Sequence, residues 1–200
     1  MRACLFDLDG VLTQTAQLHA AAWKAMFDDY LRRRAERTGA PFVPFDLHAD
    51  YDTYVDGKPR ADGTASFLAS RQITLPLGHS GDTPGTETVH GLGNAKNLIV
   101  LRMIADEGVG LIPGSLRYLQ AVRDAGLASA VVSSSNNCQA VLAAAGIDMM
   151  VDVVIDGLAA AREQLPGKPA PDTYLATSRA LGVPASQSAG FEDALAGVTA

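Results

Sequence analysis

Asp7 and Asp9 stand two residues apart, just after a short apolar run from Cys4 to Phe6. On an extended chain, residues i and i+2 point to the same side. Two carboxylates held that close repel each other unless a cation sits between them. Far along the chain, Glu192-Asp193 follows a second short run, Ser188 to Phe191. With Glu192 behind it, Asp193 completes an oxygen-rich set of the kind magnesium prefers, in which one or two carboxylates share the ion with waters and a substrate phosphate. Lys168, within Gly167-Lys168-Pro169, offsets part of the remaining negative charge. Ser133 opens the run Ser133-Ser134-Ser135-Asn136-Asn137 and offers a hydroxyl and turn amides to phosphate oxygens. Gly10 allows a sharp turn directly after the aspartate pair. The chemistry these residues suit is cation-assisted handling of a phosphate group.

Taken singly, each segment has an ordinary explanation. A DxDG is also a turn or a calcium-like loop, GKP is usually a surface turn, and a Ser/Asn run caps helices. Glu-Asp before a helix compensates its dipole. What gathers them is the order of elements. Ala128 to Val132 is a wholly apolar strand closed by the serines, and Val151 to Ile155 is the next strand. Ser115, after Pro113-Gly114, is positioned to cap a helix carrying Leu116, Leu119 and Val122, which Gly126 ends. Further helices run from about 137 to 145, stopping at Gly146, and from 171 to 181, with Pro171 early and Gly182 after the end. Strands alternating with helices imply a doubly wound parallel sheet, an α/β class. Ligands of such sheets bind outside the carboxyl ends of the strands. All four segments fall at that edge or in the loop after it.

Between the first strand and this α/β stretch the texture is different. From Gln14 a helix is expected, with Trp23, Met26, Phe27, Tyr30 and Leu31 on one apolar face and Arg32-Arg33-Arg34 on the solvated side. Residues 39–60 and 74–94 read as loops, 62–71 as a short helix, and 96–105 as a helix with Leu98, Leu101 and Ile104 apolar. Residues 14–95 therefore read as a helical insertion, and 1–13 with 96–200 as the core.

The chain has 200 residues, a net charge of −6, 48% hydrophobic residues and 19% charged residues. That is the size of one domain with an insertion, and the composition excludes wholesale disorder. An acidic balance argues against a nucleic-acid partner. Cys4 and Cys138 are too few for a disulfide framework and read as buried small hydrophobes. No apolar run approaches the ~20 residues of a membrane span. The opening MRACLFDLDG is broken by aspartates and does not read as a signal peptide, so a cytoplasmic protein is expected.

The segments FDLDGVLTQTAQLHAAAWKAMF, AVVSSSNN, GKPAPDTYL and GFEDALAGV resemble the four motifs of the haloacid dehalogenase superfamily of phosphotransferases, most closely its β-phosphoglucomutase group. The resemblance covers nearly the whole chain. It implies a Rossmann-like core with 14–95 as an inserted helical cap. It makes Asp7 the nucleophile that becomes an aspartyl phosphate and Asp9 the general acid/base. Magnesium is then held by Asp7, the backbone carbonyl of Asp9 and Asp193, with Glu192 in support. Ser133 and Lys168 bind the transferring phosphate, with Ser135 and Asn137 of the same turn among the substrate-binding side chains. Arg60 resembles the cap arginine that grips the non-transferring phosphate. Lys96 and His19 match positions near the family's site, His19 as a hinge or gating residue.

The implied reaction interconverts β-glucose 1-phosphate and glucose 6-phosphate, with Mg2+ as cofactor, glucose 1,6-bisphosphate as priming donor and a monomer as the working form. A sugar-phosphate phosphatase is the alternative. A non-catalytic binding domain would not need Asp7, Asp9, Lys168 and Asp193 together. Departures from the family pattern are Gln14 between Thr13 and Thr15, Asn136 where a lysine often stands, Ala194 where mutases usually carry Ser, and longer stretches at 32–54 and 74–90. Because residues 194–200 open a helix and relatives continue beyond it, a further C-terminal portion is expected, and a start almost on the first strand suggests a trimmed N-terminus.

Overall fold

The apolar runs of the sequence become the centre of a parallel sheet. In the computed structural model, which describes residues 1–200, β1 (Ala3–Phe6), β2 (Ala128–Val132), β3 (Val153–Ile155) and β4 (Ser188–Phe191) pair in the order β3-β2-β1-β4. All three pairings are parallel. The helices are α1 (Thr15–Thr38), α2 (Arg60–Ser70), α3 (Val89–Glu107), α4 (Pro113–Asp124), α5 (Cys138–Ala145), α6 (Gly157–Arg162), α7 (Asp172–Ala180) and α8 (Leu195–Thr199). The chain divides into two compact units: Met1–Ala16, Gly57–Pro59 and Val109–Ala200 form one, and Gln17–Asp56 with Arg60–Gly108 the other.

In the first unit, the period of two along β1 sorts its side chains to opposite faces. Ala3 and Leu5 pack with Ala130, Val132 and Val183 and against Tyr174 and Leu181, the side covered by α7. Phe6 faces the other way, edge-on to Tyr118 of α4 at 6.2 Å between ring centroids. One sheet covered by helices on both faces is the α/β arrangement expected. Strand β3 begins two residues later than the run Val151–Ile155 suggests, because the Asp152 carboxylate turns in to accept the Ser129 N–H at 2.8 Å. Ser115 does not cap a helix. α4 starts three residues earlier than that cap implies, with Ile112 at the cap position and Pro113 as its first residue, where proline's missing N–H costs nothing. The short α6, not foreseen, is capped by Asp156, whose Oδ1 accepts from Ala159 N–H at 2.8 Å.

The second unit has its own core. The α1 face Trp23, Met26, Phe27, Tyr30 and Leu31 is buried as expected, against Phe45, Phe67 and Leu92. Phe27 meets Phe67 at 4.1 Å and Trp23 at 5.2 Å between centroids. Two segments depart from the loop assignments. A π-helical turn, Tyr51–Val55, buries Tyr51 and Val55. Helix α3 begins at Val89, seven residues before the expected Lys96, capped by Thr88 Oγ1 accepting from Gly91 N–H at 2.9 Å. Gly91 and Gly93 interrupt the apolar period and hide this start. Its buried face is Val89, Leu92, Lys96 and Val100, whereas Leu98 and Leu101 are 43% and 40% exposed. Since α3 is one continuous helix, the second unit runs to Gly108 and not to residue 95.

Candidate active site

Strand register brings the acids together. Phe6 pairs with Phe191 of β4 and Val131 of β2, and the Phe6 and Phe191 rings stack at 4.8 Å. The next residues on each strand are Asp7, Glu192 and Val132, so all three emerge side by side at the carboxyl edge. Asp7 N–H continues the ladder to Phe191 O at 2.9 Å. Gly10 then turns the chain at φ +92°, and a Cβ built there would lie 2.8 Å from Asp193 Cγ. Only glycine leaves room for that carboxylate beside the Asp7–Asp9 loop. Asp7, Glu192 and Asp193 each offer an oxygen within 4.8 Å of the others.

Lys168 is the cation inside this group. Its ammonium donates to Asp7 Oδ1 at 2.5 Å, to Val132 O at 3.0 Å, and to Glu192 Oε1. Three donors meet three acceptors, with the lysine side chain 1% exposed. Burial alone would lower the Lys168 pKa, but Asp7 and Glu192 outweigh it and hold the ammonium charged. Burial pushes the Asp7 carboxyl well above the usual carboxylate range, Lys168 opposes this, and Glu192 and Asp9 add to it. The three clustered carboxylates and one ammonium leave two negative charges uncompensated when all are ionised. That is the charge of one divalent cation, and an all-oxygen donor set is what magnesium takes. The donor set fits the ion.

The remaining core residues lie around this cluster's supports. Thr15 donates to Asp9 Oδ1, and Thr13 and Thr15 hydroxyls are 2.6 Å apart, both fully buried. Ser133 Oγ accepts from Ser135 N–H at 3.0 Å, and Ser135 Oγ from Asn137 N–H at 3.1 Å, so the serine run folds into a tight turn before α5. The Asn137 side chain does not cap that helix. Ser134 reaches elsewhere, donating to Gly57 O at 2.7 Å. Cys138 is buried, and burial pushes its thiol up strongly. Both cysteines are free and buried, as expected.

His19, Lys96 and Arg60 belong to the second unit. Lys96 is 4% exposed; its Nζ is 2.8 Å from His19 Nδ1 and 4.8 Å from the Trp23 ring centroid. Arg60 is the first residue of α2, half-buried, with Nη2 donating to Asn94 Oδ1 at 3.3 Å. Burial lowers its pKa. Sequence reasoning missed Tyr174, whose hydroxyl donates to Glu192 Oε1 at 2.5 Å. It also passed over the hydroxyl pair Thr13 and Thr15, for which two threonines flanking Gln14 after DxDG were the available signal.

Residues 1–200 match the family model for haloacid dehalogenase-like hydrolases. The chain is 56% identical over 200 residues to a β-phosphoglucomutase of Mycobacterium tuberculosis, covering all of this chain and 76% of that protein. Among solved structures it is similar to β-phosphoglucomutase from Clostridium difficile, with a TM-score of 0.76 at 24% identity, covering 100% of this chain and 79% of that one. It is also similar to CbbY from Rhodobacter sphaeroides in complex with phosphate, with a TM-score of 0.71 at 25% identity over 100% and 80% of the two chains. No helix is long and apolar enough to cross a membrane.

Proposed function

The chain belongs to the haloacid dehalogenase-like hydrolase family, an enzyme family, and from that premise we propose that it is a β-phosphoglucomutase, a cytoplasmic monomer interconverting β-glucose 1-phosphate and glucose 6-phosphate. The observation that carries the reading is the 56% identity, along the whole chain, to a protein of that activity. The phosphatase reading keeps one support, the family's description as hydrolases.

Asp7 is the nucleophile. Its carboxylate must be ionised to attack phosphorus, and the Lys168 ammonium at 2.5 Å favours that form against the burial that opposes it. The C1 phosphoryl group of glucose 1,6-bisphosphate passes to Asp7, releasing glucose 6-phosphate, and then from Asp7 to the C6 hydroxyl of an incoming β-glucose 1-phosphate, regenerating the bisphosphate, so one difficult transfer becomes two in-line steps. Asp9, fixed by Thr15, gives a proton to the departing sugar oxygen and takes one from the incoming hydroxyl. Ser133, Ser135 and Asn137 supply donors to the phosphoryl oxygens, and Lys168 neutralises their charge. Asp7, the Asp9 carbonyl and Asp193, with Glu192 in support, would hold Mg2+, which would supply electrostatic stabilisation to the transferring group.

A mutase also needs a grip on the phosphate that does not react, and Arg60 suits it. A guanidinium at a helix N-terminus is disfavoured by the dipole, and burial disfavours it further. A bound phosphate relieves both and matches the bidentate fork. His19 and Lys96, bonded to each other, are assigned to the substrate side of the same unit.

The test follows isomer and inorganic phosphate together, with β-glucose 1-phosphate, Mg2+ and a trace of glucose 1,6-bisphosphate. Glucose 6-phosphate should form without matching phosphate release. Stoichiometric phosphate with no isomer would overturn the mutase reading in favour of the phosphatase. Arg60→Ala should abolish isomerisation and leave slow hydrolysis of a small aryl phosphate. Undiminished isomerisation would remove Arg60 from its role.

A further inference from the structure

Glu192 is held in an uneven way. Its side chain is 6% exposed, and its Oε1 takes two donors, the Lys168 ammonium and the Tyr174 hydroxyl at 2.5 Å. Its Oε2 is buried with no hydrogen-bond partner. The backbone of Gly197 lies against the carboxylate, where any added Cβ would collide with it. Steric walls and one oxygen therefore hold the group. Of the two donors on that oxygen, Lys168 is shared, since the same ammonium also serves Asp7 and Val132 O. Tyr174 is the one whose hydroxyl proton goes to Glu192.

Tyr174 is well placed for this. It sits in the first turn of α7 and packs on the cluster of Ala3, Leu5, Ala130, Val132 and Val183 under the sheet. Its ring lies 5.3 Å from Lys168 Nζ, so one side chain touches both partners of the Lys168–Glu192 pair. Burial, and then the bond to Glu192, push the phenol far up, which keeps it a donor. Without that hydroxyl, Glu192 would lean on Lys168 alone. The ammonium would be drawn from Asp7, and Glu192 would lose its fixed place beside Asp7 and Asp193.

We propose that Tyr174 is a positioning residue: its hydroxyl fixes the Glu192 carboxylate, and through it divides Lys168 between Asp7 and Glu192 and keeps the Asp7–Glu192–Asp193 oxygens preset for a divalent cation. This rests on the reading of the site as a magnesium-dependent phosphoryl-transfer centre. Partners behind a metal ligand typically matter by 10–100-fold in metal affinity.

The test is calorimetric titration of Mg2+ into the metal-free full chain, without substrate. Tyr174→Phe removes one oxygen and keeps the ring over Lys168. It should weaken Mg2+ binding by about tenfold, at the low end of that range. In the Glu192→Gln protein the same change should cost nothing further, because Tyr174 acts through Glu192. Unchanged Mg2+ affinity in Tyr174→Phe, even with a lower melting temperature in EDTA, overturns the proposal, as does an equal loss in both backgrounds. Neither result touches the proposed function. A wild-type protein that binds no Mg2+ overturns both.

Discussion

Replacing Lys168 by methionine isolates what the ammonium does before any metal or substrate arrives. The variant keeps the side chain's bulk and removes the charge between Asp7 and Glu192, whose side chains are 10% and 6% exposed. Two desolvated carboxylates then face each other with no counter-charge. The cheapest response is to take a proton onto Asp7, which burial already favours. For an ordinary aspartate of pKa about 3.9, holding the proton costs about 4 kcal/mol at pH 7 and about 1.5 kcal/mol at pH 5. The first figure falls within the roughly 3–5 kcal/mol known for breaking one partner of a buried pair.

A raised carboxyl stabilises the fold below its unfolded pKa, and that contribution is lost as pH rises through the folded value. The variant's deficit is therefore largest at neutral pH and shrinks on acidification. For a chain of this size, each kcal/mol moves the melting temperature by about 2–4 °C. Thermal unfolding in EDTA should show Lys168→Met melting about 8–16 °C below wild type at pH 7 and about 3–6 °C below at pH 5. A deficit of the same size at both pH values would refute the proton-uptake argument. A deficit under about 2 °C at pH 7 would refute the claim that Lys168 holds the carboxylates together.

Asp7→Asn should abolish turnover in a phosphoryl-transfer assay yet melt in EDTA no lower than wild type, since it removes a desolvated charge and leaves Lys168 paired with Glu192. Gly10→Ala adds a Cβ 2.8 Å from Asp193 Cγ at a backbone φ of +92°. The conformation alone costs about 1–2 kcal/mol, and displacing Asp193 should weaken Mg2+ binding about tenfold or more by calorimetry. Wild-type Mg2+ affinity in this variant would show that Asp193 is not held by the close approach at Gly10.

The parts of this molecule readable from sequence are those whose signal is local. Ala128–Val132 is a strand at the residues expected because a strand buried on both faces must be an unbroken apolar run. The polar residues that follow such runs necessarily mark its carboxyl edge, which is why Asp7, Ser133 and Glu192 were found by type and place. The first helix was legible because its apolar face repeats over several turns. The start of α3 was not, because its buried face includes Gly91, Gly93 and Lys96, none of which contributes to an apolar period. Lys96 is buried with its Nζ 2.8 Å from Nδ1 of His19, 77 residues away, and over the Trp23 ring. No window of sequence contains that fact.

The same limit explains Tyr174. Its hydroxyl and Glu192 are 18 residues apart and meet only because α7 packs under the sheet while β4 pairs with β1 in one register. That register is set by Phe6 opposite Phe191, a stacked pair that fixes which acidic residue stands beside Asp7. A slip of one residue would turn every side chain of β4 to the other face and take Glu192 from Lys168. The aromatic pair one step below the carboxyl edge thus shapes the site from beneath: it decides that the buried lysine meets two carboxylates, and hence that the cluster carries the excess negative charge a divalent cation can balance.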